Sequence, residues 1–245
     1  DDVAFFWKED AKKPLMDRVT DLKKVLFQDG IGSIYQKLER HQKIATFILK
    51  QLNDKTVSKS SLGSKIEPEK LTQAIWLSKS DLTTEMVFEL PVLQGKMGYE
   101  YAMKEGVSQE IAESIEQHYW PKFEGDTVPD NPYSVISALA DKIDTIVSCF
   151  YNDLIPTGSQ DPWGVRRHVF GVYSIIEKHK LNLNVKELVA FAYSNFDKGE
   201  INRDKLDAFV EQRIKSFMGT RNYSYDVVDS VMASMWSYPL TGFSW

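Results

Sequence analysis

The chain has 245 residues, with 30 Lys and Arg against 35 Asp and Glu for a formal charge of -5. Hydrophobic residues at 42% and charged residues at 27% fit an ordinary soluble globular protein whose core needs no covalent staples. A single cysteine, Cys149, excludes a disulfide framework and any Cys-rich zinc or iron–sulfur site, and fits a reducing cytoplasm, while a pI near 5.5 excludes a uniformly basic nucleic-acid binder but not a local basic stripe.

The opening residues Phe5, Phe6 and Trp7 follow two aspartates rather than the basic region of a signal peptide, and no apolar run reaches the roughly 18–20 residues of a membrane span. The absence of an initiating Met and the aromatic end at Trp245 read as a piece of a longer protein. Charge is uneven. Residues 1–60 carry 12 basic and 9 acidic side chains, residues 61–150 carry 7 and 15, and residues 151–245 carry 11 of each. Nucleic acid is therefore expected on the flanks rather than the middle.

Helical periodicity runs through the chain. Leu15, Val19, Leu22, Val25 and Leu26 form one stripe, predicting a helix over 9–27 with Lys12, Lys13, Lys23 and Lys24 off the stripe. Gly30 and Gly32 break it, and Ser33 caps a second helix carrying Ile34, Leu38, Ile44, Phe47, Ile48 and Leu52. Residues 53–66 read as a loop, and Pro68 opens a helix to about Leu77. Residues 81–90 are helical in pattern until Pro91, and Ser108 begins a helix ended by Pro121. Tyr133 to Phe150 is apolar all round, the pattern of a buried helix. Asp161 and Pro162 are expected to start a helix to about Lys180, with further helices near 184–196, 203–218 and 224–236. No strand hairpin stands out. The fold class is all-α.

No phosphate-binding glycine loop, no His pair four residues apart and no nucleophile elbow is present. His41, His118, His168 and His179 are scattered, which reads as surface or capping histidines. More informative is a polar series on apolar helices: Arg40 and His41, Ser80 and Asp81, then Asp141 and Asp144, which share one face. A carboxylate inside an apolar helix is costly unless paired or ligated. Metal-dependent phosphohydrolases of the HD superfamily place a His, an adjacent His-Asp and a later Asp in this order to hold a divalent metal. Here Ser80 stands where the second His belongs and Arg40 where the first belongs, with His41 one residue late. A cation in a ligand position repels the metal, so no metal and no catalytic residue is assigned. Arg40 or Lys142 is expected to neutralise Asp81 or Asp141 inside a vestigial cleft.

These stretches carry a family resemblance. Phe5-Phe6-Trp7-Lys8-Glu9-Asp10 with Lys12-Lys13-Pro14-Leu15, Val25-Leu26-Phe27-Gln28 with Leu38-Glu39-Arg40, and Lys79 through Leu90 with Leu93-Gln94-Gly95-Lys96-Met97-Gly98 are three of its segments. Ala140-Asp141-Lys142-Ile143-Asp144-Thr145 and Ile155-Pro156-Thr157-Gly158-Ser159 with Asp161-Pro162 and Arg166-Arg167 complete it. Together they resemble the β subunit of the bacterial heterotetrameric glycyl-tRNA synthetase, closely to about residue 180 and more loosely to residue 235.

The resemblance implies a degenerate HD-like helical domain over 1–180, with helix 9–27 a connector from upstream, and a helical linker over 181–245 toward a C-terminal anticodon-binding domain. It implies a non-catalytic tRNA-binding and assembly module, with tRNA(Gly) and the synthetase α subunit as partners and neither DNA nor membrane. ATP and magnesium belong to the parent complex, whose α subunit makes the glycyl-adenylate, and this piece holds no cofactor of its own. The alternative is a surviving HD-type phosphohydrolase acting on nucleotide or RNA.

For RNA, Arg166 and Arg167 near a helix start rank first, because guanidinium forks suit phosphate oxygens. Pairing of one of them with Asp161 or Asp153 is the competing role. Lys12, Lys13, Arg18, Lys23 and Lys24 form a second basic surface, or simply a solvated face. Phe5, Phe6 and Trp7 beside it read as packing groups.

Overall fold

The computed structural model describes residues 2–54 and 62–219, with Asp226 and Val228 besides. Residues 55–61 of the loop expected at 53–66 lie outside these residues, as does the expected helix 224–236 except for Asp226 and Val228.

Among the described residues the chain forms eleven α-helices and one short hairpin. They are α1 (Asp2–Asp10), α2 (Leu15–Arg18), β1 (Leu26–Gln28), β2 (Gly32–Ser33), α3 (Ile34–Asn53) and α4 (Pro68–Leu77). After these come α5 (Glu85–Glu89), α6 (Lys96–Lys104), α7 (Gln109–Gln117), α8 (Pro132–Tyr151), α9 (Val165–His179), α10 (Val185–Tyr193) and α11 (Arg203–Gly219).

Helix α8 is the axis of the molecule. Every residue from Tyr133 to Phe150 is buried, because α3, α4, α7, α9, α10 and α11 all pack around it. Asn131 caps it through Tyr133 N, and Pro132 sits in its first turn, where a missing N–H costs nothing. Each fully buried Leu, Ile, Val or Phe in this shell contributes about 1.5–3 kcal/mol. Helix α3 enters through a reciprocal capping box between Ser33 and Gln36, as the sequence predicts for Ser33. Helices α10 and α11 join the same core, with Leu206, Val210 and Ile214 buried and the Phe170 and Phe217 rings 5.7 Å apart.

Three expectations change. The stripe at 9–27 is not one helix: Pro14 separates α1 from α2, a 3-10 segment follows over Val19–Lys24, and Leu26 then enters the hairpin, 66% exposed. Leu15, Val19 and Leu22 still bury as the stripe requires, since 3-10 and α turns place residues three or four apart on one side. The hairpin itself, pairing Leu26 with Ser33 and Gln28 with Gly32, is too short to show an alternating pattern. The stretch 81–90 divides into a 3-10 turn over Ser80–Thr83 and the helix α5, which Thr84 caps through Val87 N.

Candidate functional site

Arg40 on α3 meets Asp144 of α8 at one buried face, where Lys79 also reaches Asp141, while Ser80 and Asp81 lie on the 3-10 turn that follows Lys79. Arg40, Ser80, Asp81 and Asp141 are all buried. Their partners are not those a metal centre needs.

On α3, Lys37 and Arg40 lie three apart and project together onto α8. Arg40 clasps Asp144 with both forks, Nε to Oδ1 at 2.7 Å and Nη2 to Oδ2 at 3.2 Å. Lys37 Nζ bridges the two α8 carboxylates, 3.0 Å from Asp144 Oδ2 and 3.4 Å from Asp141 Oδ1, and donates to Thr145 Oγ1 at 2.8 Å. Burial alone would raise the Asp144 carboxyl, but Lys37 and Arg40 hold it below the usual range.

Lys79 completes the neutralisation from the opposite side. Its Nζ lies 3.1 Å from Asp141 Oδ1 and 2.8 Å from His118 Nε2, with the Tyr119 ring 4.1 Å away. An ammonium can only donate, so His118 Nε2 accepts and its Nδ1 donates to the Ile115 carbonyl at 2.8 Å. Burial, then the adjacent Lys79, keep His118 uncharged. The Asp141 carboxyl is held well below its ordinary range: Lys37 and Lys79 outweigh burial.

Asp81 points elsewhere. Its Oδ2 accepts from Gly95 N at 2.6 Å and Gly98 N at 3.3 Å, so it caps the start of α6. A Cβ on Gly98 would fall 2.4 Å from Ile115 Cγ2 and 3.3 Å from the Asp81 carboxylate, so only glycine permits this approach. Burial pushes the Asp81 carboxyl up to about 6, against those two N–H bonds. Ser80 Oγ donates to the Leu77 carbonyl at 2.7 Å. His41 donates from Nε2 to the Ser137 carbonyl at 2.9 Å, and its buried Nδ1 has no hydrogen-bond partner. Burial lowers His41 to about 4.

These contacts correct the expected pairing. Neither Arg40 nor Lys142 neutralises Asp81 or Asp141: Arg40 serves Asp144, and Lys142 donates to the Tyr119 carbonyl at 3.2 Å. His41 and His118 are fully buried rather than surface groups. The residues do not fit a divalent metal, because Lys79 lies against Asp141 and Asp81 is committed to backbone N–H groups. Among the described residues no three His, Cys, Asp or Glu side chains converge as a metal-binding group. The sequence reading overlooked Lys37, Lys79 and His118. Lys37 was signalled by its place three residues before Arg40, whereas His118 reaches Lys79 only through the packing of α7.

With this arrangement in hand, the comparison with known proteins is decisive. The family described as glycyl-tRNA synthetase beta subunit matches residues 1–233. The chain belongs to that family. Curated glycine–tRNA ligase beta subunits resemble it at 38% identity over 240 residues in Desulforamulus reducens and 40% over 232 residues in Aquifex aeolicus. Each comparison covers 95% of this chain and 33% or 32% of the relative, so the chain spans about a third of the length of those beta subunits.

The basic residues of this beta-subunit segment divide sharply by environment. Arg18 is buried and donates to the carbonyls of Lys13, Thr83 and Asp10 at 3.1, 2.9 and 2.8 Å. It cannot serve an RNA surface. Its neighbour Asp10 caps α5 through Glu85 N and Met86 N, so these groups fasten α1 and α2 to the Ser80–Glu85 region. Lys12 pairs with Glu9 at 2.6 Å, Lys13 with Asp21, and Lys23 lies 4.7 Å above the Tyr35 ring. Lys12, Lys23 and Lys24 are exposed. Phe5 is exposed, while Trp7 stacks on Tyr101 with centroids 4.8 Å apart.

Helix α9 starts at Val165, three residues later than expected, after a turn through Pro162, Trp163 and Gly164. Asp161 still caps it, accepting from Val165 N at 2.7 Å and Arg166 N at 3.0 Å. The Arg166 guanidinium donates to the Gly158 carbonyl at 2.8 Å, so Asp161 takes its main chain and not its side chain. Arg167 is exposed and folds back over Gly164, lining a surface cavity of about 440 Å³. No described helix is long and apolar enough to cross a membrane.

Proposed function

We propose that this chain is a non-catalytic tRNA-binding and assembly module of a glycine–tRNA ligase beta subunit, supporting ATP-dependent glycylation carried out by an alpha subunit. The observation that carries the reading is Lys79 set against Asp141, with Arg40 and Lys37 on Asp144. An HD-like cleft arranged this way holds its own cations and has no donor set for metal-activated water. Residues 1–180 are the HD-like unit and 181–245 the helical linker in this proposal. The partners are tRNA(Gly) and the alpha subunit named by the family's subunit designation. Arg167, Arg166 and the exposed lysines Lys12, Lys23 and Lys24 supply phosphate contacts, with Lys13 partly engaged by Asp21 and Arg18 withdrawn.

Fluorescence anisotropy of the chain with glycine-accepting tRNA across a salt series tests this. Binding that weakens steeply with salt supports the module. Absent binding at low salt contradicts it. The phosphohydrolase reading is tested by adding manganese or magnesium to the purified chain with a nucleotide substrate. No phosphate release is expected.

A further inference from the structure

A surface cavity lined by charged side chains lies outside the buried cluster. Its polar side is Arg167, Lys122 and Gln94, and its apolar side is Pro91, Val92 and the Tyr119 ring. About 440 Å³ is the size of a site for one nucleotide-sized ligand.

Three features make it a built site. Arg167 is held over it by a backbone choice: Gly164 has φ +65°, and a Cβ there would fall 2.6 Å from Arg167 Nη2. A Cβ at 164 would press on the guanidinium and strain the left-handed backbone. Gln94 donates from Nε2 to Tyr119 Oη at 2.5 Å, which leaves the phenol proton free to be donated. Finally, Lys142 stands behind the wall and donates to the Tyr119 carbonyl at 3.2 Å.

Two acids stand near the cavity, and both are turned onto main-chain donors. Asp126 accepts from Lys122 N and Thr127 N at 2.7 Å each, and Asp161 accepts from Val165 N and Arg166 N. His168, which also lines the cavity, is kept uncharged by burial and by Lys142. An anion is favoured by Arg167 and Lys122, which line the cavity, and an apolar group by Val92, which is 85% exposed beside Pro91.

We propose that this cavity binds one unpaired, phosphate-bearing nucleotide of an RNA strand, its phosphate on Arg167 and Lys122 and its base or ribose against Pro91 and Val92. This rests on the tRNA-binding reading and names the site through which a strand would be gripped. The same chemistry could be met by a free nucleotide, so the test separates the two.

Binding of a single-stranded RNA hexamer, AMP and inorganic phosphate is measured for the wild-type chain, Arg167→Ala, Lys122→Ala and Gly164→Ala, with thermal melts to confirm folding. The expected result is hexamer binding that falls about tenfold in Arg167→Ala, since a charge-assisted pair is lost, and by less in Gly164→Ala, where the guanidinium is only shifted. AMP is expected to bind more weakly than the hexamer with the same dependence on Arg167. AMP equal to the hexamer would assign the cavity to free nucleotides and overturn the strand. Inorganic phosphate equal to AMP, or hexamer binding unchanged in folded Arg167→Ala, would overturn the nucleotide site. Intact tRNA is titrated in parallel: tRNA bound normally by all variants rejects the cavity alone, whereas AMP bound without any tRNA binding rejects the module reading alone.

Discussion

Two sets of cations in this molecule carry the same charge per side chain and have opposite fates. Lys37, Arg40 and Lys79 are buried against Asp141 and Asp144. Lys12, Lys23, Lys24 and Arg167 stand at the surface. Desolvation separates them. A buried ammonium or guanidinium must keep carboxylate or carbonyl oxygens beside it, so it is unavailable to an external phosphate, while a surface cation retains its water and can exchange it for RNA. A lysine count along the chain cannot distinguish these roles, and Arg18, buried by three backbone carbonyls inside a basic run, shows how easily it misleads.

The comparison breaks most visibly if the buried set is not structural. Asp144→Ala leaves Arg40 and Lys37 without their shared carboxylate, and we expect a loss of about 3–5 kcal/mol in urea unfolding. Arg18→Ala is expected to cost about 3 kcal/mol, because it frees the carbonyls of Lys13, Thr83 and Asp10 and strands the buried Asp10 carboxylate.

Acid comes next. His41 has a folded pKa of about 4, below its unfolded value, so the unfolded chain takes up its proton first as pH falls through 6.5. Between pH 7 and 5 this removes about 2 kcal/mol, and His118 acts in the same direction. Asp81 opposes them: raised to about 6, it protonates first in the folded state and returns about 1 kcal/mol over the same interval. His168, lowered to about 3, removes about 2 kcal/mol more by the same linkage. Stability measured by denaturant titration should therefore fall by at least about 3 kcal/mol from pH 7 to 5, and more steeply in Asp81→Asn, which lacks the returning group. The surface set marks the small end. Lys23→Ala with Lys24→Ala is expected to leave stability within about 0.5 kcal/mol while weakening tRNA binding a few-fold in anisotropy.

The sequence made the long elements readable because their ends carry local chemistry. Ser33, Pro68 and Ser108 each stand where a helix starts, and the continuous burial of α8 follows from its apolar run. The series Arg40, Ser80, Asp81, Asp141 and Asp144 was legible as polar groups on buried faces. Their pairing was not, because it depends on how α3 and the Ser80 turn meet α8. Lys79 precedes Ser80 by one residue, yet only the 3-10 geometry aims it at Asp141 rather than solvent. The start of α9 was misjudged because Asp161 caps from a distance, across a turn whose Gly164 adopts a left-handed conformation that composition does not announce.

The most direct test of the account is the salt dependence of tRNA binding by the wild-type chain, Arg166→Ala with Arg167→Ala, and Lys79→Met. The account predicts that the arginine double variant binds more weakly with a slope shallower by about one to two released counterions. It predicts that Lys79→Met, if folded, keeps the wild-type slope, because a buried cation meets no phosphate. A slope unchanged by loss of the arginines but reduced in folded Lys79→Met would place RNA in the buried cleft and contradict the division between the two sets.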